Sequence, residues 1–258
     1  MKVVILAGGL GTRISEESHL LPKPMIEIGG QPILWHIMKY YSQFGHQDFV
    51  ICCGYRGYMI KKYFADYYLH QSDVTFDFGN GNAMEIHNNF AEPWRVTMVD
   101  TGLETQTGGR IKRIQPYVGN EPFLLTYGDG VSDVDLHAVH RHHKARGKIV
   151  TMTAVQPGGR FGVINFASDA TTIAGFEEKA KENGGWINAG FMVVEPEIFE
   201  HLPDDTCVFE QNVLPKLSAE GRIDAYKHHG YWQCMDTQRD RMSLEQRWSS
   251  GDAPWKVW

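Results

Sequence analysis

The chain reads as an α/β protein with a mixed, mainly parallel sheet flanked by helices, and three observations carry that expectation. Short apolar runs at Val3 to Ala7, Phe49 to Cys53 and Phe123 to Tyr127 alternate with segments of helical periodicity, the pattern of βα units whose strands are buried on both faces. A glycine-rich turn, Gly8-Gly9-Leu10-Gly11, leaves the first run, where backbone N–H groups in conformations closed to other residues can approach a phosphate or a base. Tyr127-Gly128-Asp129-Gly130 ends the third run and sets a carboxylate where ligands of open α/β sheets collect, outside the carboxyl ends of the strands.

The elements follow in chain order. Pro32 opens an amphipathic helix with Ile33, Leu34, Ile37, Met38 and Tyr41 at helical spacing, and Gly45 ends it. After the Phe49 to Cys53 strand and Gly54, the stretch Tyr58 to Tyr68 is helix-like, and its aromatics Tyr63, Phe64, Tyr67 and Tyr68 are assigned to core or to a subunit interface. Val74 to Phe90 leaves the alternating plan: strands of weaker pattern meet at a turn with Gly79 and Gly81, an excursion around 74–95 suited to oligomerisation. Asp135 precedes a helix to Gly147, a strand follows at Ile149 to Val155, and Phe161 to Val194 reads as several strands broken by Gly, Asp and Asn turns. The C-terminal part returns to helices, with Trp248, Trp255 and Trp258 placed to dock on the body or a neighbour. No composition shift, linker or internal repeat divides the chain, so a single domain over 1–258 is expected.

Composition then narrows the function. An apolar content of 42% over 258 residues allows a sizeable core, and a formal charge of −6 leaves no basic face for a nucleic-acid backbone. No apolar run is long enough to span a membrane, and because Met1-Lys2 leads at once into the Val3 strand no leader segment is expected. Cys52, Cys53, Cys207 and Cys234 show neither C-x-x-C spacing nor a disulfide framework, which predicts reduced thiols and a cytoplasmic setting. His137, His140, His142 and His143 crowd one helix, and with His228-His229 they read as solvated rather than metal-binding, because no cysteine or second carboxylate cluster completes a ligand set.

The glycine turn alone is ambiguous. Gly9-Leu10-Gly11 begins a G-x-G-x-x-G fingerprint, but Ile14 stands where the third glycine belongs and the second strand ends in Cys53-Gly54 instead of an acidic ribose ligand. A P-loop is excluded by the missing G-K-[ST]. Arg13 offers a planar, permanently charged donor, and Lys23 is presented from a rigid arm between Pro22 and Pro24. Asp129 and Asp236, from remote segments, are the donor type that a hydrated Mg²⁺ on a nucleotide takes. Each has a plainer reading, Asp129 as a turn residue and Asp236 as an N-cap of the final helix.

Together these segments resemble the sugar-1-phosphate nucleotidylyltransferases over essentially the whole chain. The resemblance is carried by Leu6-Ala7-Gly8-Gly9-Leu10-Gly11-Thr12-Arg13, Pro22-Lys23-Pro24-Met25, Gly54-Tyr55, Thr107-Gly108-Gly109-Arg110, Tyr127-Gly128-Asp129-Gly130, Arg160-Phe161-Gly162, Phe176-Glu177-Glu178-Lys179, Asn188-Ala189-Gly190-Phe191 and Met235-Asp236-Thr237. It implies a Rossmann-like sheet in which the glycine turn, Thr107 to Gly109 and Gly128 hold the nucleotide. Arg13 and Lys23 would hold triphosphate oxygens, with Asp129 and Asp236 on Mg²⁺. Phe161, Gly162, Glu178, Lys179, Asn188 and Gly190 would form the sugar-phosphate pocket. One departure is visible: the usual Glu-Lys-Pro reads Glu178-Lys179-Ala180 here, losing a rigidifying proline at the side of Lys179.

The short stretch between Arg13 and Pro22 looks like the cytidylyl branch of that family. The activity so implied is transfer of a cytidylyl group from CTP to α-D-glucose 1-phosphate, giving CDP-glucose and pyrophosphate for deoxysugar and O-antigen or other surface-polysaccharide synthesis. The resemblance also implies a homo-oligomer. Uridylyl or thymidylyl transfer to a sugar 1-phosphate, or a non-catalytic sugar-nucleotide sensor, are the alternatives. A sensor could lose Lys23 or a magnesium aspartate, and this chain keeps all three.

Overall fold

A computed structural model describes residues 1–11, 21–156, 163–169, 171–177 and 185–258. Among them, eight strands form the main sheet: β1 (Val3–Leu6), β2 (Asp48–Cys53), β3 (Arg95–Asp100), β4 (Phe123–Tyr127), β5 (Val150–Val155), β6 (Ile187–Asn188), β7 (Met192–Val194) and β8 (Ile223–Lys227). Strands β4, β1, β2 and β3 run parallel in that spatial order. β7 lies antiparallel between β4 and β5, β6 pairs with the far end of β5, and β8 is parallel to β5 on its other flank. The sheet is therefore mixed and mainly parallel, as the alternating pattern predicts.

Both faces of the sheet are covered, which is why its central strands are mainly apolar, broken only by buried threonines such as Thr126, Thr151 and Thr153. Val3, Ile5, Phe49, Ile51 and Leu124 point into one core with helix α1 (Ile33–Gln43). Their chain neighbours Val4, Val50, Cys52, Phe123 and Leu125 point into the other, with Ile111 of α3 (Thr107–Arg113) and Leu214 and Leu217 of α5 (Leu214–Ala219). The period-2 alternation of strand side chains does this sorting. Helix α2 (Gly57–Ala65) stops at Asp66, and a separate turn at Tyr67–His70 takes up the rest of the aromatic stretch. Helix α4 (Leu136–Arg146) begins where the Asp135 side chain accepts the Ala138 N–H at 3.0 Å and ends on Gly147 at φ 58°.

The two outer strands, β3 and β8, were not expected, and β8 lies where the pattern predicts helix. Both carry charged residues, Arg95 and Asp100 in one and Asp224 and Lys227 in the other, so neither shows the apolar run of a central strand. The histidine-rich helix is also less solvated than expected. His143 is buried, with Nδ1 on Thr151 Oγ1 and Nε2 on Glu195 Oε1, both at 2.9 Å, and His142 reaches the buried Asp224 at 3.1 Å. Among the described residues no group of three His, Cys, Asp or Glu side chains is placed to hold a metal.

The four cysteines are free and buried. Trp255 is buried in the core, and Trp248 and Trp258 gather with it around His36. No described helix is long and apolar enough to cross a membrane. The 74–90 excursion is a two-stranded hairpin, Ser72–Asp77 with Ala83–Asn89, that pairs Val74 with Ile86 and Phe76 with Met84.

Candidate active site

The carboxyl ends of β1 and β4 open into a cleft of about 500 Å³. It is lined by Leu6, Ala7, Gly8, Gly9, Leu10 and Gly11, by Leu103 to Thr107 with Arg110, by Tyr127, Gly128 and Asp129, and by Lys23, Pro24 and Asp236. Of the sequence-predicted nucleotide and metal residues, Leu6 to Gly11, Lys23, Thr107, Gly128, Asp129 and Asp236 thus line one cavity, from five separate segments. Thr12, Arg13, Phe161, Gly162, Glu178 and Lys179 lie outside the described residues.

Gly8 and Gly54 are required by close approaches. A Cβ on Gly8 would stand 2.2 Å from Arg110 Nη1, and one on Gly54 would stand 2.4 Å from the same atom and 2.6 Å from the Gly8 carbonyl. Gly128 backs onto the Leu6 carbonyl at 3.0 Å, while a Cβ on Gly9 would meet nothing within 4 Å and so leaves open space beside the cleft. Arg110 explains the first two contacts. Its guanidinium is buried and donates to Thr101 Oγ1 (2.7 Å), Gly102 O (2.7 Å), Leu103 O (3.2 Å) and Cys53 O (3.3 Å), bracing the 101–103 wall against the end of β2 and the glycine turn. Burial pulls its pKa down.

Lys23 starts a 3-10 turn, Lys23–Met25, held by Pro22 at φ −65°. Its ammonium lies 2.5 Å from Asp129 Oδ2 and 2.5 Å from Asp236 Oδ1. Burial depresses the ammonium pKa, but the two carboxylates outweigh it and the net shift is upward, so Lys23 stays charged. Asp236 reaches this position through backbone pairing: Trp232–Cys234 runs antiparallel to Gly130–Ser132, and the Met235 N–H donates to the Asp129 carbonyl at 2.8 Å. The N-cap of the final helix, α6 (Gln238–Ser250), is Thr237, in a capping box with Asp240. Capping therefore does not consume the Asp236 carboxylate.

Two carboxylate oxygens within 2.5 Å of one nitrogen converge on a point-sized cation, and they are the hard donors that Mg²⁺ prefers. The donor set fits that ion. Lys23, Asp129 and Asp236 together carry a formal charge of −1, and the ammonium has a third donor beyond the two it gives to the carboxylates.

Other predicted residues are placed differently. Thr107 lines the cleft, but Gly108 and Gly109 sit behind it: their N–H groups donate to the Cys207 carbonyl at 2.9 and 3.2 Å. A Cβ on either would come within 2.6 Å of Cys207 or Asp205, so these glycines let α3 close onto the 205–207 segment. Asn188 donates from Nδ2 to the Tyr127 hydroxyl at 3.2 Å and accepts the Gly190 N–H at 2.9 Å on Oδ1. Sequence reasoning assigned no role to Leu103 to Gln106, Arg110 or Tyr127. The T-G-G-R run was the only trace of Arg110, and nothing in it announces a buried guanidinium.

A family profile described as nucleotidyl transferase matches residues 2–237. The glucose-1-phosphate cytidylyltransferases of Salmonella typhi and Salmonella typhimurium are each 54% identical to this chain over 259 residues, covering all of both sequences. Among solved structures, HddC from Yersinia pseudotuberculosis superposes with a TM-score of 0.77 at 25% identity, over 96% of this chain and 99% of that one.

Proposed function

The chain belongs to the nucleotidyl transferase family, and on that footing we propose that it transfers a cytidylyl group from CTP to α-D-glucose 1-phosphate, giving CDP-glucose and pyrophosphate. The observation that carries the reaction class is the meeting of Lys23, Asp129 and Asp236 beside the glycine-lined cleft. The choice of base and sugar rests on the full-length likeness to the two Salmonella enzymes.

A phosphate oxygen of the sugar phosphate attacks the α-phosphorus of CTP in line. The new P–O bond forms as the bond from the α-phosphorus to the bridging oxygen breaks, and pyrophosphate departs with that electron pair. The attacking phosphate is already an anion, so no protein nucleophile is needed and catalysis is orientation plus charge neutralisation. Gly8, Gly9 and Gly11 let the triphosphate approach the backbone closely. The third N–H of Lys23 is available to a phosphate oxygen, and Arg13 adds a second cation from the same stretch of chain. Asp129 and Asp236 would hold Mg²⁺, which neutralises phosphate charge when bound. Gly190 and Asn188, with Phe161, Gly162, Glu178 and Lys179, are assigned to the sugar phosphate.

The same reading extends to setting and assembly. Four free buried thiols suit a reducing cytoplasm, and a surface-polysaccharide or deoxysugar route would consume the product. The hairpin face made by Val74, Phe76, Phe78, Met84 and Ile86 is apolar, and Phe76 and Phe78 stack while 52% and 80% exposed. An isolated hairpin of this kind is marginal in water, so a second copy of the chain is its proposed cover. The activity is tested by pyrophosphate release from CTP and glucose 1-phosphate with Mg²⁺. Release that EDTA abolishes is expected, and tight CTP binding without release would instead mark a sensor.

A further inference from the structure

Thr107 and Tyr127 line the cleft from α3 and from the end of β4, and one carboxylate joins them. Glu210 Oε2 accepts the Thr107 hydroxyl at 2.6 Å, and Glu210 Oε1 accepts the Tyr127 hydroxyl at 2.7 Å. Each hydroxyl is itself an acceptor: Thr107 Oγ1 takes the Phe209 N–H at 2.9 Å, and the Tyr127 oxygen takes Asn188 Nδ2 at 3.2 Å. Every donor in this chain of bonds therefore points toward Glu210, its sole terminal acceptor. Bonds aligned in this way polarise and strengthen one another.

The surroundings agree with a held geometry. Glu210 sits in a π-helical turn, Phe209–Val213, a rare distortion that recurs at functional sites. Two residues after Tyr127 comes Asp129, which holds Lys23. On the other arm, Asn188 fixes the Gly190 N–H, and Gly190 at φ +77° packs so closely that a Cβ would stand 3.1 Å from the Tyr127 ring.

We propose that Glu210 is a positioning residue for the transfer reaction: it ties the Thr107 wall to the Tyr127 end of β4 and through them aligns the nucleotide arm with the Asn188 to Gly190 arm. It lines no part of the cleft among the described residues and acts only through Thr107 and Tyr127. The proposal rests on the cytidylyl-transfer reading for what is being aligned.

The test is a double-mutant cycle on kcat/KM with Glu210→Ala, Tyr127→Phe and the pair, alongside Glu210→Gln and thermal melts of all variants. Each single change should lower kcat/KM about tenfold or more, and the pair should lie within about threefold of the worse single variant. Glu210→Gln, whose amide oxygen can accept only one of the two protons, should recover part of the loss. Additive losses in the cycle would overturn the proposal. So would an Ala variant with a lowered Tm whose folded enzyme turns over within about threefold of wild type, since that is what a merely structural carboxylate gives. The cycle is read with the nucleoside triphosphate and sugar phosphate that wild type uses best, so a wrong substrate assignment shows in the wild type and a failed positioning role only in the cycle.

Discussion

Lys23 bridges two carboxylates, leaving the trio a net charge of −1, and its ammonium still has a third donor to offer a phosphate. Lys23→Ala should lower kcat by about 10²-fold or more, the scale of losing one preorganised charge-stabilising group, with the fold retained by circular dichroism. Near-normal turnover would remove it from the catalytic set. The glycines divide by their neighbours. Gly8→Ala drives a methyl into the Arg110 guanidinium and should lower Tm, whereas Gly9→Ala meets no atom within 4 Å and should leave Tm unchanged while weakening CTP binding. Melting curves and CTP titrations of both variants separate the two roles. Lys23 and Asp129 were legible in the sequence because prolines and glycines flag the turns that present them, whereas Asp236, in a stretch without either, was singled out only as a second remote carboxylate and by the Met235-Asp236-Thr237 resemblance. Arg110, Tyr127 and Glu210 were not, because a buried charge or hydroxyl network exists only once remote segments have packed.

At the scale of elements, the short antiparallel pair Gly130–Ser132 with Trp232–Cys234 brings Asp129 and Asp236 together across the sequence, and the capping box at Thr237 fixes where α6 begins. Thr237→Ala removes the side-chain cap and should cost about 1 kcal/mol, a fall of roughly 2–4 °C in Tm for a chain of this size. Because Asp236 is the adjacent residue, the Mg²⁺ concentration needed for half-maximal rate should rise as well; an unchanged Mg²⁺ requirement would detach the cap from the site. The exposed hairpin gives an independent test. Phe76→Asp with Phe78→Asp should lower the mass measured by analytical ultracentrifugation to that of a smaller assembly, and an unchanged mass would leave this face without a role in assembly. β1, β2 and β4 were legible as mainly apolar runs, but β3 and β8 were not: β3 is largely uncovered and carries charge at both ends, and β8 is interrupted by Asp224, a buried carboxylate that is accommodated only because Arg146 and His142 reach it from α4.

At the scale of the whole molecule, two cores on either side of one sheet account for most of the apolar residues, and the C-terminal tryptophans close one of them over His36. Burial pushes the His36 pKa down to about 4, while its Nε2 bonds the Ile28 carbonyl at 2.8 Å. The folded ring stays neutral where the unfolded one would take a proton, so stability should fall as pH drops from about 6.5 toward 4 and be independent of this group above that window. A His36 ring resonance still neutral at pH 5.5 by NMR agrees with this placement; a midpoint near 6.5 does not. We also propose that the chain is one domain that unfolds in a single cooperative transition, because the sheet shared by both cores offers no line of separation. The sheet class was legible from the alternation of strands and helices, whereas the antiparallel insertion of β7 between β4 and β5 depends on long-range pairing that local pattern does not encode. The most direct test of the account gives the protein equal concentrations of ATP, CTP, GTP and UTP with glucose 1-phosphate and Mg²⁺, and identifies the sugar nucleotide formed by mass spectrometry. CDP-glucose as the dominant product is the predicted result, and UDP-glucose, another nucleoside diphosphate glucose or no sugar nucleotide at all would contradict it.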